Sequence, residues 1–317
     1  MFCKKIFALL TAAIIFTTAT CAAKSEVIDV EIVTPTVAIH QDVTFAQYFV
    51  WPQNRLKMDI YSPIGEKKSP AVVFVPGGWW LTSPKDSGMQ IAEKLAEAGF
   101  AVASIEYRLI AESNYINIIG DVKAAVRYLR AHAEDFNIDK NKIAVMGTSA
   151  GGYLSSMVGV TGGIEKFDFG ENLDQSSNVQ AVVDIFGPSD LTKIADDYSE
   201  ELQKIYNSPG SPSSILVNGV SAFRHNKGGS ISEIPETARD SNPIAHINKN
   251  TPPFLIFHGN KDTTISPSQS KILYDALIKN GVDAEFYVVN GCGHDFKYFY
   301  QPKTFNIIVN FLNRVLK

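Results

Sequence analysis

The chain has 317 residues, 45% of them hydrophobic, which is enough apolar material for one large buried core, and α/β enzymes of this length commonly stay a single domain. A net charge of −4 offers no basic field to a polyanion or an anionic membrane surface, so nucleic-acid binding is not expected.

Lys4 and Lys5 precede an apolar run from Ile6 to Phe16 and then small residues ending Cys21-Ala22-Ala23. This is the pattern of a secretory signal peptide over residues 1–23, cleaved near Ala23, and the run is too short to span a bilayer. Lipid anchoring at Cys21 fits less well, because Thr18-Ala19-Thr20 lacks the apolar residue that opens a lipobox. The expected location is secreted or periplasmic. Loss of Cys3 and Cys21 would leave Cys292 alone, with no internal disulfide partner, and it reads as a space-filling side chain.

The mature chain opens with an expected antiparallel pair, Phe45 to Val50 and Arg55 to Tyr61, around Trp51-Pro52-Gln53-Asn54, with Leu56, Met58 and Ile60 sharing a face. Short apolar strands then alternate with amphipathic helices, the pattern of a mostly parallel sheet covered on both faces. The next predicted strand, Ala71 to Val75, ends in Pro76-Gly77-Gly78-Trp79-Trp80, a turn able to expose backbone N–H groups to a developing oxyanion. A strand over Ala101 to Ile105 follows. Val122, Val126, Leu129, Ala133 and Phe136 recur at helical spacing, with Lys123, Arg127 and Arg130 on the opposite, polar face.

The strand Ile143 to Met146 runs into Gly147-Thr148-Ser149-Ala150-Gly151 and a helix-compatible stretch. Glycines two places either side of the serine let the backbone turn sharply and hold the hydroxyl clear of the sheet, which makes Ser149 a candidate nucleophile on an elbow. The expected oxyanion donors are Gly77, Gly78, Trp79 and Ala150. After a strand within Val179 to Phe186, residues 192–245 break the alternation and are rich in Ser, Pro, Gly, Asn and charge. The acidic residues Asp196, Asp197, Glu200 and Glu201 in this stretch read as solvated, and no metal and no cofactor are expected.

The acid and base must follow the nucleophile in that order, and the histidines are few enough to sort by elimination. Of six, His40 and His132 precede Ser149, while His225 and His246 lie in polar stretches with no strand leading to them. His258 closes the strand Phe254 to Phe257 but precedes the acid Asp262, so it breaks the order. His294 obeys it, in a glycine-flanked loop after the strand Ala284 to Val289. A neutral imidazole can take the proton of a serine hydroxyl, and a carboxylate on its other nitrogen fixes the tautomer. Ser149, Asp262 and His294 are therefore the candidate triad, with Asp295 a rival acid that reads better as a loop cap. Between Asp262 and the last strand, Ser266, Pro267 and Gln269 suggest a capping box for a helix that Gly281 ends. Phe305, Ile308, Leu312 and Val315 stripe a final helix.

These residues carry a resemblance. Leu56 to Tyr61, the Pro-Gly-Gly-Trp turn, Glu106 to Leu109, Asp121 to Arg127, Gly147 to Gly152, Phe186 to Leu191, Pro253 to Gly259, Asp262 and Gly291 to Phe296 resemble the α/β-hydrolase esterases of the hormone-sensitive-lipase-like and bacterial feruloyl or acetylxylan esterase-like groups. The resemblance implies an α/β-hydrolase domain over residues 24–317 with a small cap-like insertion at 192–245. It further implies a serine ester hydrolase acting through an acyl-enzyme on small-molecule esters, carbohydrate-linked or other. Trp79, Trp80, Tyr153 and Phe186 are then candidate aromatic walls near the elbow, with Trp80, Tyr153 and Phe186 assigned to the pocket. One departure stands out: the family has His-Gly-Gly-Gly where this chain has Pro76-Gly77-Gly78-Trp79, which removes a glycine's ease at positive φ. Two other readings fit parts of the pattern. A serine peptidase of the prolyl-oligopeptidase type shares elbow and triad order but normally carries a large propeller, and a non-catalytic hydrolase-like binding protein has no use for an intact triad. Oligomeric state is not legible.

Overall fold

Apolar side chains alternating at a period of two build the centre of the molecule. The computed structural model describes residues 27–48, 54–220 and 228–317; the proposed signal peptide and most of the Trp51-Pro52-Gln53-Asn54 turn lie outside them. Among the described residues the strands are β1 (Val37–Tyr48), β2 (Asn54–Pro63), β3 (Ser69–Val75), β4 (Ala101–Ile105), β5 (Ile138–Thr148), β6 (Ala181–Ile185), β7 (Phe254–Gly259) and β8 (Ala284–Val289). They form one sheet in the order β1-β2-β4-β3-β5-β6-β7-β8. Only the β1–β2 and β2–β4 pairings are antiparallel, so the sheet is mixed and mostly parallel, flanked by helices as in the α/β-hydrolase fold. Residues 27–33 carry no helix or strand, whereas residues 34–317 form one compact unit.

The central strands, β3 to β7, feed two cores. Ala71, Val73 and Val75 of β3, with Ile143 and Val145 of β5, face one layer, and Val72, Phe74, Ala144 and Met146 face the other. The first layer is closed by α2 (Tyr115–Ala131), α3 (Ala150–Val160) and α7 (Ser268–Lys279), the second by α1 (Met89–Glu97) and α8 (Pro302–Leu316). Both faces of the central strands β3 to β7 are therefore largely dry, which explains their continuous apolar runs, whereas the edge strands β1 and β8 stay partly exposed. The described residues of the long stretch after β6 include the short α-helices α4 (Glu200–Tyr206), α5 (Pro212–Asn218) and α6 (Pro235–Asp240). Among the described residues no helix is long and apolar enough to cross a membrane.

Two local expectations are corrected. Helix α2 ends at Ala131, so Ala133 and Phe136 are buried by the turn beyond it rather than by the helix. Its expected polar face is also not solvated, since Lys123 and Arg127 are buried beneath the 161–178 segment. Lys123 Nζ donates to Thr161 O at 2.7 Å and Asp168 Oδ2 at 3.0 Å, while Arg127 reaches Asp168 Oδ1 at 2.5 Å and Phe169 O at 2.5 Å. The second correction concerns α7, whose expected capping box does not form. Asp197, read as solvated, instead reaches across from the 192–245 stretch to accept from the Ser266 hydroxyl and from Ser268 N–H at 3.1 Å. Gln269 Oε1 accepts from the N–H groups of Ser189 and Asp190 at 2.9 and 2.8 Å. Gly281 does follow the helix end, at φ 75°.

Candidate active site

Ser149, Asp262, His294 and the Gly77-Gly78-Trp79 turn follow the carboxyl ends of parallel strands, where α/β folds place their ligands. Ser149 links β5 to α3 at φ 54° and ψ −121°, a conformation a non-glycine residue holds only when its surroundings enforce it. The neighbouring glycines are dictated by close approach. A Cβ at Gly147 would sit 2.2 Å from Gly151 O, and one at Gly151 would sit 2.0 Å from Val75 O. The elbow is thereby pressed against the end of β3 and the turn that follows it.

That turn is left-handed despite its side chains. Gly78 has φ 138°, and Trp79 and Trp80 follow at 55° and 57°, so the missing third glycine has not straightened the chain. Gly78 O accepts from Leu81 and Thr82 N–H at 2.9 and 3.2 Å, and the Tyr107 hydroxyl donates to Pro76 O at 3.0 Å, which pins the turn from both ends. Gly77 leaves the expected donor set because its N–H goes to Thr148 Oγ1 at 3.2 Å. The N–H groups of Gly78, Trp79 and Ala150 have no acceptor among the described residues.

The far side of the site comes from the last two strands. His294, after β8, has Nε2 at 2.9 Å from Ser149 Oγ and Nδ1 at 2.7 Å from Asp262 Oδ2. Asp262, after β7, also receives the N–H groups of Thr264 at 2.8 Å and Ile265 at 3.0 Å on Oδ1. Burial opposes its ionisation, but hydrogen bonds from His258 and His294, the charge of His294 and the Thr264 N–H together hold the carboxyl well below the usual carboxylate range. Its charge is thus available to the imidazole near neutrality. Asp295 turns instead to Lys297, accepting from its N–H at 3.0 Å, and among the described residues it makes no side-chain hydrogen bond to His294.

Residues 58–277 match the BD-FAE family model, a stretch that contains Ser149 and Asp262 and stops short of His294. The chain belongs to the BD-FAE family of α/β-hydrolase esterases. It is 31% identical to Esterase LipC of Mycobacterium tuberculosis over 254 residues, which is 78% of this chain and 59% of LipC. It spans about half the length of the curated relatives it matches. Among solved structures it is similar to a truncated carbohydrate esterase from gut microbiota, at 28% identity and TM-score 0.76, with 90% of this chain and 98% of that one covered. A bifunctional GH43-CE protein of Bacteroides eggerthii superposes with TM-score 0.74 at 29% identity, over 88% of this chain and 35% of that one.

Against that BD-FAE frame, the aromatic side chains divide differently from expectation. Trp80 and Tyr153 have no exposed surface and Phe186 has 2%, so none of them offers a wall to a ligand. The Trp80 ring packs edge-on against Tyr153 at 5.3 Å, and the Tyr153 hydroxyl donates to Ser241 O at 2.7 Å. Phe186, strained at φ 45°, lies 4.4 Å from the His294 ring and backs it. Trp79 and Tyr206 are partly exposed, and their rings meet edge-on at 5.8 Å. With Leu81, Ile205 and Pro212 they line a groove of about 250 Å³. Tyr206 also donates to Thr264 O at 2.8 Å, tying the 192–245 stretch to the loop that carries Asp262. Its isolated position in a polar segment gave no periodic signal by which to find it.

Proposed function

We propose that this chain is a serine carboxylic-ester hydrolase whose reaction passes through an acyl-enzyme on Ser149. The observation that carries the reading is the line of hydrogen bonds from Ser149 Oγ to His294 Nε2, 2.9 Å, and from His294 Nδ1 to Asp262 Oδ2, 2.7 Å. His294 takes the hydroxyl proton as Oγ bonds to the acyl carbon, and the carbonyl electron pair moves onto oxygen. The N–H groups of Gly78, Trp79 and Ala150 receive that oxyanion. The tetrahedral species collapses as His294 returns the proton to the departing alcohol, and a water then repeats the sequence to release the acid. Asp262 holds the Nδ1–H tautomer throughout and stabilises the imidazolium.

Small or carbohydrate-linked esters are the proposed substrates, a choice supported by the likeness to the gut-microbiota carbohydrate esterase. The groove beside Trp79 is proposed to take the part of the ester that does not react, with residues 192–245 acting as its cap-like wall. Residues 1–23, read as a signal peptide, would place this work outside the cytoplasm. Ser149→Ala is expected to lower nitrophenyl-acetate turnover by about 10⁴-fold or more and to abolish fluorophosphonate labelling. An acetyl, butyryl, octanoyl and feruloyl panel then ranks the acyl groups. Faster cleavage of a peptide nitroanilide than of any of these esters would overturn the ester reading, and an unlabelled wild type would overturn the chemistry.

A further inference from the structure

His258 is excluded as the base by its place before Asp262, yet it is one of the most enclosed polar side chains near the site, at 1% exposure. It stands at the end of β7, with its ring lodged between Ser270 of α7 and the loop 262–265. Its Nε2 lies 3.2 Å from Ile265 O and also 3.2 Å from Asp262 Oδ2, the oxygen that receives His294 Nδ1 at 2.7 Å.

The tautomer follows from the partners. A carbonyl and a carboxylate can only accept, so Nε2 carries the hydrogen, and Nδ1 accepts from the Ser270 hydroxyl at 2.7 Å. Both ring nitrogens are satisfied by the neutral form, and the buried ring has no requirement for charge. We infer that His258 is a positioning residue for the proposed reaction: its Nε2–H pins the 262–265 loop and draws part of the Asp262 charge away from His294.

Asp262 Oδ2 thus sits between two imidazoles that compete for one oxygen. The other titratable groups around the pair are Asp184 of β6 and Asp197, which face His258, and Tyr198, Tyr206 and Cys292, which face Asp262. The two acids bear on His258 electrostatically, and the two tyrosines and the thiol carry no charge near neutrality. Removing the His258 donor leaves more of the Asp262 charge for His294. That favours the imidazolium, which is the form unable to accept the Ser149 proton, and it also frees the loop that holds the carboxylate.

The inference rests on the proposed ester hydrolysis, and the full chain tests both separately with nitrophenyl acetate across pH. His258→Leu, with folding checked by thermal melting, is expected to lower kcat about tenfold with KM unchanged and to move the acid limb of kcat upward by roughly half a pH unit. His258→Gln, which can present an amide N–H where Nε2–H stood, is expected to restore the acid limb to within a few tenths of a unit. Ser270→Ala leaves the ring in place but releases Nδ1, and it should give the same upward shift in smaller measure. Should His258→Leu fail to fold, Ser270→Ala carries the decision, and a profile identical to wild type overturns the inference. So does a folded His258→Leu enzyme with unmoved kcat and acid limb. A purely structural role would lower melting temperature in all three variants and leave the profile still. Wild-type protein without turnover or labelling brings down the ester hydrolysis itself, a result distinct from active variants with unchanged profiles.

Discussion

Asp184 shows how much a single carboxyl can be bent by the core around the elbow. It sits with no exposed surface in β6, and burial pushes its pKa up to about 6 although the Ser156 hydroxyl and Gly187 N–H, at 2.7 and 2.8 Å, favour the anion. The folded carboxyl therefore binds its proton more tightly than the unfolded one does near 3.8. Its contribution to stability is full below that value and is lost as pH rises through about 6. Asp184→Asn is expected to flatten the dependence of melting temperature on pH between about 4 and 6. An unchanged slope in that window would place the titration elsewhere. The same scale shows what single residues disclosed in advance. Ser149, Asp262 and His294 could be picked out because reactive residue types in a required chain order leave few alternatives. Gly77 could not be separated from Gly78 that way, since the hydroxyl that occupies its N–H belongs to Thr148, 71 positions away. The contact of His258 with Asp262 was equally invisible, because a rule about order identifies a base and says nothing of a neighbour that steadies the acid.

Elements were legible where one periodicity governed them. The strands Ala101–Ile105 and Ala284–Val289 fall where alternation placed them, whereas β5 begins at Ile138, earlier than its apolar run, because Ile138 pairs with Ser69 of β3 ahead of a register irregularity that the local pattern does not announce. Helix ends depended on distant partners. Asp197 lies 71 residues from the Ser268 N–H it accepts, so no local motif could announce it. Asp197→Ala is expected to lower stability by about 1 kcal/mol in urea denaturation, as for other lost helix caps. Buried polar faces follow the same logic at higher cost. Asp168 faces two enclosed cations, Lys123 and Arg127, with side-chain exposures of 0% and 1%. Asp168→Asn is expected to cost about 3–5 kcal/mol, because the charges it leaves are uncompensated. Removing the exposed helical pair Lys271–Asp275 should stay within about 0.5 kcal/mol by the same assay. Equal losses from the two pairs would contradict this account of α2.

At the scale of the whole molecule, the site is divided between two groups of strands. The centre of the sheet, β3 and β5, presents the strained turn and the elbow already in contact, through Gly151 against Val75 O. The edge, β7 and β8, brings the carboxylate and the imidazole. Alternating strands and helices made this framework readable from the chain alone, since dry faces on both sides leave a continuous apolar signal. The 192–245 stretch was not readable in that way, because its helices are six or seven residues long and are held by tertiary contacts such as Tyr206 to Thr264 and Leu191 N–H to Asn242. Ser149 and His294 are separated by 145 positions, and His294 follows the last strand to join the sheet in chain order. A ribosome-bound or half-collapsed chain accordingly displays an ordinary alcohol at position 149, chemically inert toward the esters around it. On the proposed mechanism reactivity arrives only with closure of the sheet's final edge, so the appearance of fluorophosphonate labelling during refolding would time that event.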